Sequence, residues 1–298
     1  MRIVSLVPAA TEIACALGAG DELVAVTHDC DHPPGVRDLP RITTSAIEPG
    51  SDSAEIDAQV RSAAGRGEST FHLDAAALRA ATPDVILGQT LCHVCAVTLG
   101  QLPAAVGTAP VLVPLDGDSI DGIFDDIRRV GEALGRVEAG ASLCERLRAR
   151  LERVEGLVAG QARPRVACLE WLAPLFNAGH WVPEQVAHAG GDDVLGEAGA
   201  RSREVTWSDL AAADPEVLLL MPCGFDAERA ASESAALRGR PEWRALRAAR
   251  ERRAYAVDGS AFFSRPGPRV VDGVELLAAI LHPDRLSPPP GTRALPIG

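Results

Sequence analysis

Residues Ala80 to Leu87 (Ala-Ala-Thr-Pro-Asp-Val-Ile-Leu) recur as Ala212 to Leu219 (Ala-Ala-Asp-Pro-Glu-Val-Leu-Leu), and this echo constrains the fold more than any other feature. Each copy ends a helix, stops it with a proline that has no N–H to donate, and then opens a buried apolar strand. Three further pairs keep the same order: Arg2–Leu6 with Arg165–Leu169, Gly18–Leu23 with Gly190–Leu195, and Val113–Gly117 with Tyr255–Gly259. Strands that alternate with helices belong to parallel sheets, because a parallel pair needs a crossover between its members. The sequence therefore predicts two similar α/β lobes with parallel-sheet cores.

The stretch between the copies carries no strand signal. Ile120, Ile123, Ile127, Val130 and Leu134 recur at helical spacing, and Leu143, Leu147, Leu151, Val154 and Leu157 do so after Gly140. Proline is absent from Asp116 to Ala162. This reads as one long helix, or as two broken near Gly135–Gly140, joining the lobes as a helical backbone. The expected division is an N-terminal α/β lobe at 1–117, a bridging helix at 118–160 and a C-terminal α/β lobe at 161–298.

Length and charge narrow the class. At 298 residues and 47% hydrophobic, the chain can bury two cores of ordinary size. A net charge of -12 argues against nucleic acid or an anionic membrane surface as partner. Every basic side chain is Arg, which excludes Schiff-base lysine chemistry. Met1–Pro8 lacks the pattern of a signal peptide, and no stretch is long and apolar enough to insert in a membrane. Seven cysteines without an export signal predict a reducing, cytoplasmic setting.

Candidate chemistry gathers where predicted strands end, which is where open α/β sheets bind ligands. Gln89-Thr90-Leu91-Cys92-His93-Val94-Cys95 follows one strand, His28-Asp29-Cys30-Asp31 a second, and Pro222-Cys223-Gly224 a third. Two thiols three positions apart can be presented to one centre by a single turn, as in zinc and thiol-redox sites. His28, Cys30, Cys92, His93, Cys95 and Cys223 are the candidate metal ligands; buried cysteines acting as small hydrophobes are the alternative. The second half supplies Glu170 to Glu184, a predicted loop with Trp171, Phe176, His180 and Trp181 in a chain only 4% aromatic. Flat rings give a ligand wall large contact area at low entropy cost. His180 could give an axial nitrogen to a corrin or haem metal. Phe263 and Arg265 follow a later strand, and Arg265 suits a carboxylate or phosphate of a ligand. With Gln89 and Glu170, these complete the candidate ligand contacts.

Together these segments resemble the ABC-transporter substrate-binding proteins whose lobes are joined by a single long helix, the helical-backbone metal receptor fold, and within them the cobalamin-binding branch. The resemblance spans nearly the whole chain. It rests on Ser5-Leu6-Val7-Pro8-Ala9-Ala10-Thr11-Glu12, Asp31-His32-Pro33-Pro34, Thr82-Pro83-Asp84-Val85, Pro174-Leu175-Phe176, Ala189-Gly190-Gly191, Val205-Thr206-Trp207 and Ser264–Arg269. It implies a cobalamin, related metallo-tetrapyrrole or other metal chelate held in a cleft between the lobes. Three departures stand beside it: no leader, which argues against a transporter partner; cleft loops richer in Cys and His; and a segment, Glu48 to Ser69, that looks inserted. The alternative function is a cytoplasmic enzyme that uses Cys/His-bound zinc or iron, or thiol chemistry. Gly-rich phosphate loops, Gly-x-Ser-x-Gly elbows and His-Glu-x-x-His patterns are absent.

Overall fold

The computed structural model describes residues 1–90, 102 and 109–297. They divide into two compact units. The first comprises Met1–Ser51, Ala58–Gly117 and Asp121–Arg146; the second comprises Asp52–Asp57, Asp118–Ile120 and Leu147–Gly298.

The first unit opens with β1 (Ile3–Ser5), α1 (Pro8–Ala16), β2 (Leu23–Ala25) and β3 (Thr43–Ser45). Next come α2 (Ser53–Gly65), whose first turn belongs to the second unit, β4 (Phe71–Leu73), α3 (Ala75–Ala81), β5 (Val85–Gln89) and β6 (Val111–Leu115). The sheet order is β2-β1-β5-β6, with every pairing parallel. Val4, Leu6, Ala25, Ile42, Leu78 and Ile86 form its core. β3 and β4 make a separate antiparallel pair.

The helical stretch is two helices, α4 (Ile120–Ala133) and α5 (Val137–Val158), rather than one. They break at Gly135, whose φ of 65° lies where a side chain is strained and glycine is not. Ile120 N–H, at the start of α4, donates to Glu184 Oε2 at 2.6 Å, so a carboxylate meets the positive end of that helix.

The second unit holds β7 (Arg165–Leu172), β8 (Leu175–Asn177), α6 (Val182–His188), β9 (Asp192–Asp193), α7 (Trp207–Ala213) and β10 (Val217–Leu220). It continues with α8 (Ala227–Arg238), α9 (Pro241–Ala245), α10 (Arg247–Arg250), β11 (Ala254–Val257), α11 (Gly259–Phe262), α12 (Val270–Leu281) and β12 (Ala294–Pro296). β9, β10 and β11 join β7 in a parallel core with the order β9-β7-β10-β11. That is the order of β2-β1-β5-β6, strand for matched strand. β12 and β8 add antiparallel edges that the first unit lacks.

The sequence echo is an echo in backbone. Thr82 and Asp214, just before the matched prolines, both cap their helices in the left-handed region at φ 40°. Arg2 N–H donates to Asp84 Oδ2 at 2.7 Å, and Arg165 N–H donates to Glu216 Oε2 at 3.1 Å. Gly117 and Gly259, which follow the last matched strands, are both packed against backbone. A Cβ on Gly117 would lie 2.6 Å from Ile123 N, and one on Gly259 would collide with the carbonyl oxygens of Met221 and Pro222.

Among the described residues, no helix is long and apolar enough to cross a membrane.

Candidate functional site

In the first unit the loop after β2 is held by its own polar groups. Arg41 donates through Nη1 to Thr27 O at 2.7 Å and to Cys30 O at 2.8 Å, and through Nη2 to Arg37 O at 3.1 Å. Cys30 is 1% exposed, with its Sγ 3.1 Å from Thr11 Oγ1 and 3.0 Å from Thr27 Oγ1. Thr11 donates in turn to Ser5 Oγ at 2.8 Å. The thiol thus ties the loop to β1 and α1, a packing role in a buried polar cluster. His28 places Nδ1 2.7 Å from Thr43 Oγ1, and its ring lies 5.4 Å from Phe71. Its Nε2 is 3.5 Å from Asp29 Oδ2.

Gln89 ends β5 and is buried. Cys92, His93 and Cys95 lie outside the described residues. Among the described residues, no three His, Cys, Asp or Glu side chains are grouped so as to hold a metal ion. The expected metal set therefore finds no support from His28, Cys30 or Cys223. The reason is local: the side chains of His28 and Cys30 are engaged with threonine hydroxyls rather than free to converge.

The second unit departs from its expected loop. Residues after Leu169 are not irregular; β7 runs on to Leu172 and turns back through Ala173-Pro174 into β8. Leu172 pairs with Leu175, and Trp171 with Phe176. Aromatic and large apolar residues favour the pleated surface, and a two-residue connection closes the hairpin. This brings Glu170, Trp171 and Phe176 onto one hairpin, with Cys223 adjoining, since its N–H donates to Glu170 O at 3.1 Å.

Trp171 is half-buried and lies 5.5 Å, ring to ring, from Phe225. The guanidinium of Arg229 sits 3.6 Å over the far ring, an arrangement attractive to a cation. The Trp171 Nε1–H points to two carbonyls, Ser53 O at 3.1 Å and Ala173 O at 3.2 Å. Ser53, in the first turn of α2, donates from its hydroxyl to Glu233 Oε2 at 2.9 Å and from its N–H to the same oxygen at 3.3 Å. Ile56 packs on the same core as Trp171. Sequence reasoning missed Ser53, Phe225 and Glu233. The one available signal was Asp52-x-x-Glu55, a reciprocal pair that starts the helix: Asp52 N–H donates to Glu55 Oε2, and Glu55 N–H to Asp52 Oδ1, each at 2.9 Å.

The remaining candidates are more enclosed than expected. Trp181 is 5% exposed, with its indole N–H buried and without a hydrogen-bond partner. His180 takes a φ of 53°, and its N–H donates to Ala200 O at 2.6 Å. The pair is therefore a bend that ends the hairpin and starts α6, with the His180 ring 5.8 Å from that of Trp181. Phe263 and Arg265 are buried beyond α11. Asp258 caps that helix through Ala261 N–H at 2.7 Å. Burial pushes its carboxyl above the ordinary range, while the charges of Arg269 and Arg265 pull it back. Arg265 thus already acts on a carboxylate of its own chain, and Arg269 lies over the Phe262 ring. Of the candidates in the second unit, Glu170, Trp171, Phe176 and His180 are half-buried, whereas Trp181, Phe263 and Arg265 are buried.

A family model described as periplasmic binding protein matches residues 3–261. The vitamin B12-binding protein of Vibrio cholerae serotype O1 (strain ATCC 39541 / Classical Ogawa 395 / O395) is 25% identical over 287 residues, 94% of this chain and 88% of that one. The uncharacterized ABC transporter substrate-binding lipoprotein YvrC of Bacillus subtilis (strain 168) is 23% identical over 292 residues, 95% of this chain and 80% of that one. Among solved structures, the apo form of the periplasmic heme-binding protein RhuT from Roseiflexus sp. RS-1 aligns with a TM-score of 0.72 at 24% identity, covering 95% of this chain and 98% of that one.

These likenesses correct one expectation outright. The cytoplasmic location expected from the sequence is contradicted by a match to periplasmic binding proteins and by a lipoprotein relative. That expectation rested on the first residues and on cysteine usage, and neither decides where a protein works.

Proposed function

Because this chain belongs to the periplasmic binding protein family, we propose that it is an extracytoplasmic receptor for cobalamin or a related metallo-tetrapyrrole, serving an ABC-type uptake system. One observation carries the choice of ligand class: the match to a vitamin B12-binding protein over 94% of this chain and 88% of that one. The duplicated α/β architecture is consistent with that role, since loops at the carboxyl ends of parallel strands are where such sheets receive ligands. The second unit offers the half-buried Trp171 as an aromatic contact for a macrocycle, backed by the buried Phe225, whose ring is tilted from it by 59°. Phe176 and Glu170 lie on the same hairpin. His180 lies just beyond it, as a candidate nitrogen donor to the ligand's metal. In this reading the metal arrives inside the ligand, so the protein needs no Cys/His cage of its own.

The test is a spectroscopic titration of the purified protein with cyanocobalamin and, separately, haemin. A saturable change in the visible spectrum, with a dissociation constant at or below about 1 μM, is expected for one of them; that affinity corresponds to roughly 8 kcal/mol of binding free energy. Trp171→Ala should weaken binding about tenfold, in line with the loss of one aromatic contact. Absence of saturable binding to both would remove the proposal.

A further inference from the structure

The segment that looks inserted, Glu48 to Ser69, does not behave as a surface decoration. Its Asp52–Asp57 portion belongs to the second unit, while the rest of α2 belongs to the first. Ser53 is 1% exposed. Its carbonyl takes the indole N–H of Trp171, and its hydroxyl and N–H both reach Glu233 Oε2. Ile56 adds an apolar contact on the same core. The Asp52–Glu55 pair makes this turn a preformed unit, so it can dock or leave as one piece.

We propose that the first turn of α2 is a displaceable strap, pinned by Glu233, that covers the indole of Trp171 and must give way when ligand binds. This rests on the reading of Trp171 as a ligand surface. Three features favour a strap over a permanent piece of core. It is short, and Ala54 and Glu55 on its outer side are exposed. The anchor carboxylate is itself partly exposed on α8, where water competes for it. The two bonds of Ser53 to Glu233 end on a single carboxylate oxygen, strong enough to hold the turn down and local enough to be released together. A ligand that covers Trp171 with a larger apolar area would outcompete them. The strap then lowers the apparent affinity by the fraction of molecules in which it is down.

The experiment has a ligand-free arm and a ligand arm, with Glu233→Ala compared to the parent protein in both. Without ligand, the variant should exchange amide hydrogens of residues 52–57 at least about tenfold faster, with no change elsewhere in the second unit. Acrylamide should also quench its fluorescence more, and Trp171→Phe should abolish that increment. With haemin or cyanocobalamin, the variant should bind about three- to tenfold more tightly, and the parent should expose 52–57 as it loads. Exchange at 52–57 unchanged by Glu233→Ala, or protection that increases on loading, would overturn the strap. If neither compound binds either protein, the ligand assignment fails. The ligand-free arm then decides the strap alone: faster exchange with greater quenching supports it, and no change refutes it.

Discussion

The two units share a skeleton and differ at their loops. Both build a parallel core in the same strand order, β2-β1-β5-β6 against β9-β7-β10-β11. Both cap the helix before the third strand with a left-handed residue ahead of proline, and both bury a glycine against backbone after the fourth. At the carboxyl ends the likeness stops. The first unit closes its β2 loop with a thiol, threonine hydroxyls and an arginine, which bond to one another. The second extends β7 into an aromatic hairpin, and places Trp171 against Phe225 under the first turn of α2. What the units share is what closes a sheet; they differ where no strand constrains the chain.

The largest effect expected from this comparison is at the matched glycines. Gly117→Ala and Gly259→Ala should each destabilise their unit by up to about 3 kcal/mol, since backbone rather than a flexible side chain stands in the way. Gly135→Ala, with open space around it, should cost only about 1 kcal/mol for its positive φ. Denaturant midpoints measure all three. A neutral Gly259→Ala beside a damaging Gly117→Ala would break the equivalence of the two positions.

A smaller effect separates the units, because the second has an ionic network of its own. Arg150 reaches Glu275 Oε2 at 2.7 Å and Asp272 Oδ1 at 2.5 Å, and Arg153 reaches Glu275 Oε1 at 2.7 Å. Burial pushes the Glu275 carboxyl up, but the hydrogen bonds and charges of the two arginines bring it below its ordinary value of 4.5. A depressed carboxylate stabilises the fold fully above its unfolded value, and that stability is lost as pH falls through the folded one. Glu275→Gln should therefore cost about 2 kcal/mol near neutral pH, with the deficit shrinking below pH 4.5. A deficit independent of pH would show that packing, not charge, is at stake.

The smallest effect concerns the two helix ends. Thr82→Gly should raise stability by up to about 1 kcal/mol, and Asp214→Gly by less, because a β-branched residue tolerates φ 40° worse than Asp does. Thermal midpoints read both; equal shifts would mean that the side chains are held by other contacts.

The skeleton was legible because prolines, apolar runs and their repetition act over a few residues each. Ala80–Leu87 and Ala212–Leu219 announce β5 and β10 without any knowledge of what packs on them. The loops were not legible in that way. Cys30 reads as a candidate metal ligand; its hydroxyl neighbour Thr27 is three positions away in the same loop, but Thr11 comes from α1, which the loop's own sequence does not announce. Trp171 to Phe176 reads as a loop because a two-residue turn interrupts it, although the flanking residues pair. The cover over Trp171 comes from Ser53, 118 positions earlier, and periodicity carries no trace of so distant a partner.

The central claim is that this duplicated α/β chain is a receptor that uses the aromatic hairpin of its second unit. Equilibrium titration of the parent protein and of Trp171→Ala with cyanocobalamin and haemin tests it most directly. The account predicts saturable binding of one compound at or below about 1 μM and about tenfold weaker binding in the variant. Equal affinity in both proteins would contradict the role of the hairpin, and no binding in either would contradict the receptor itself.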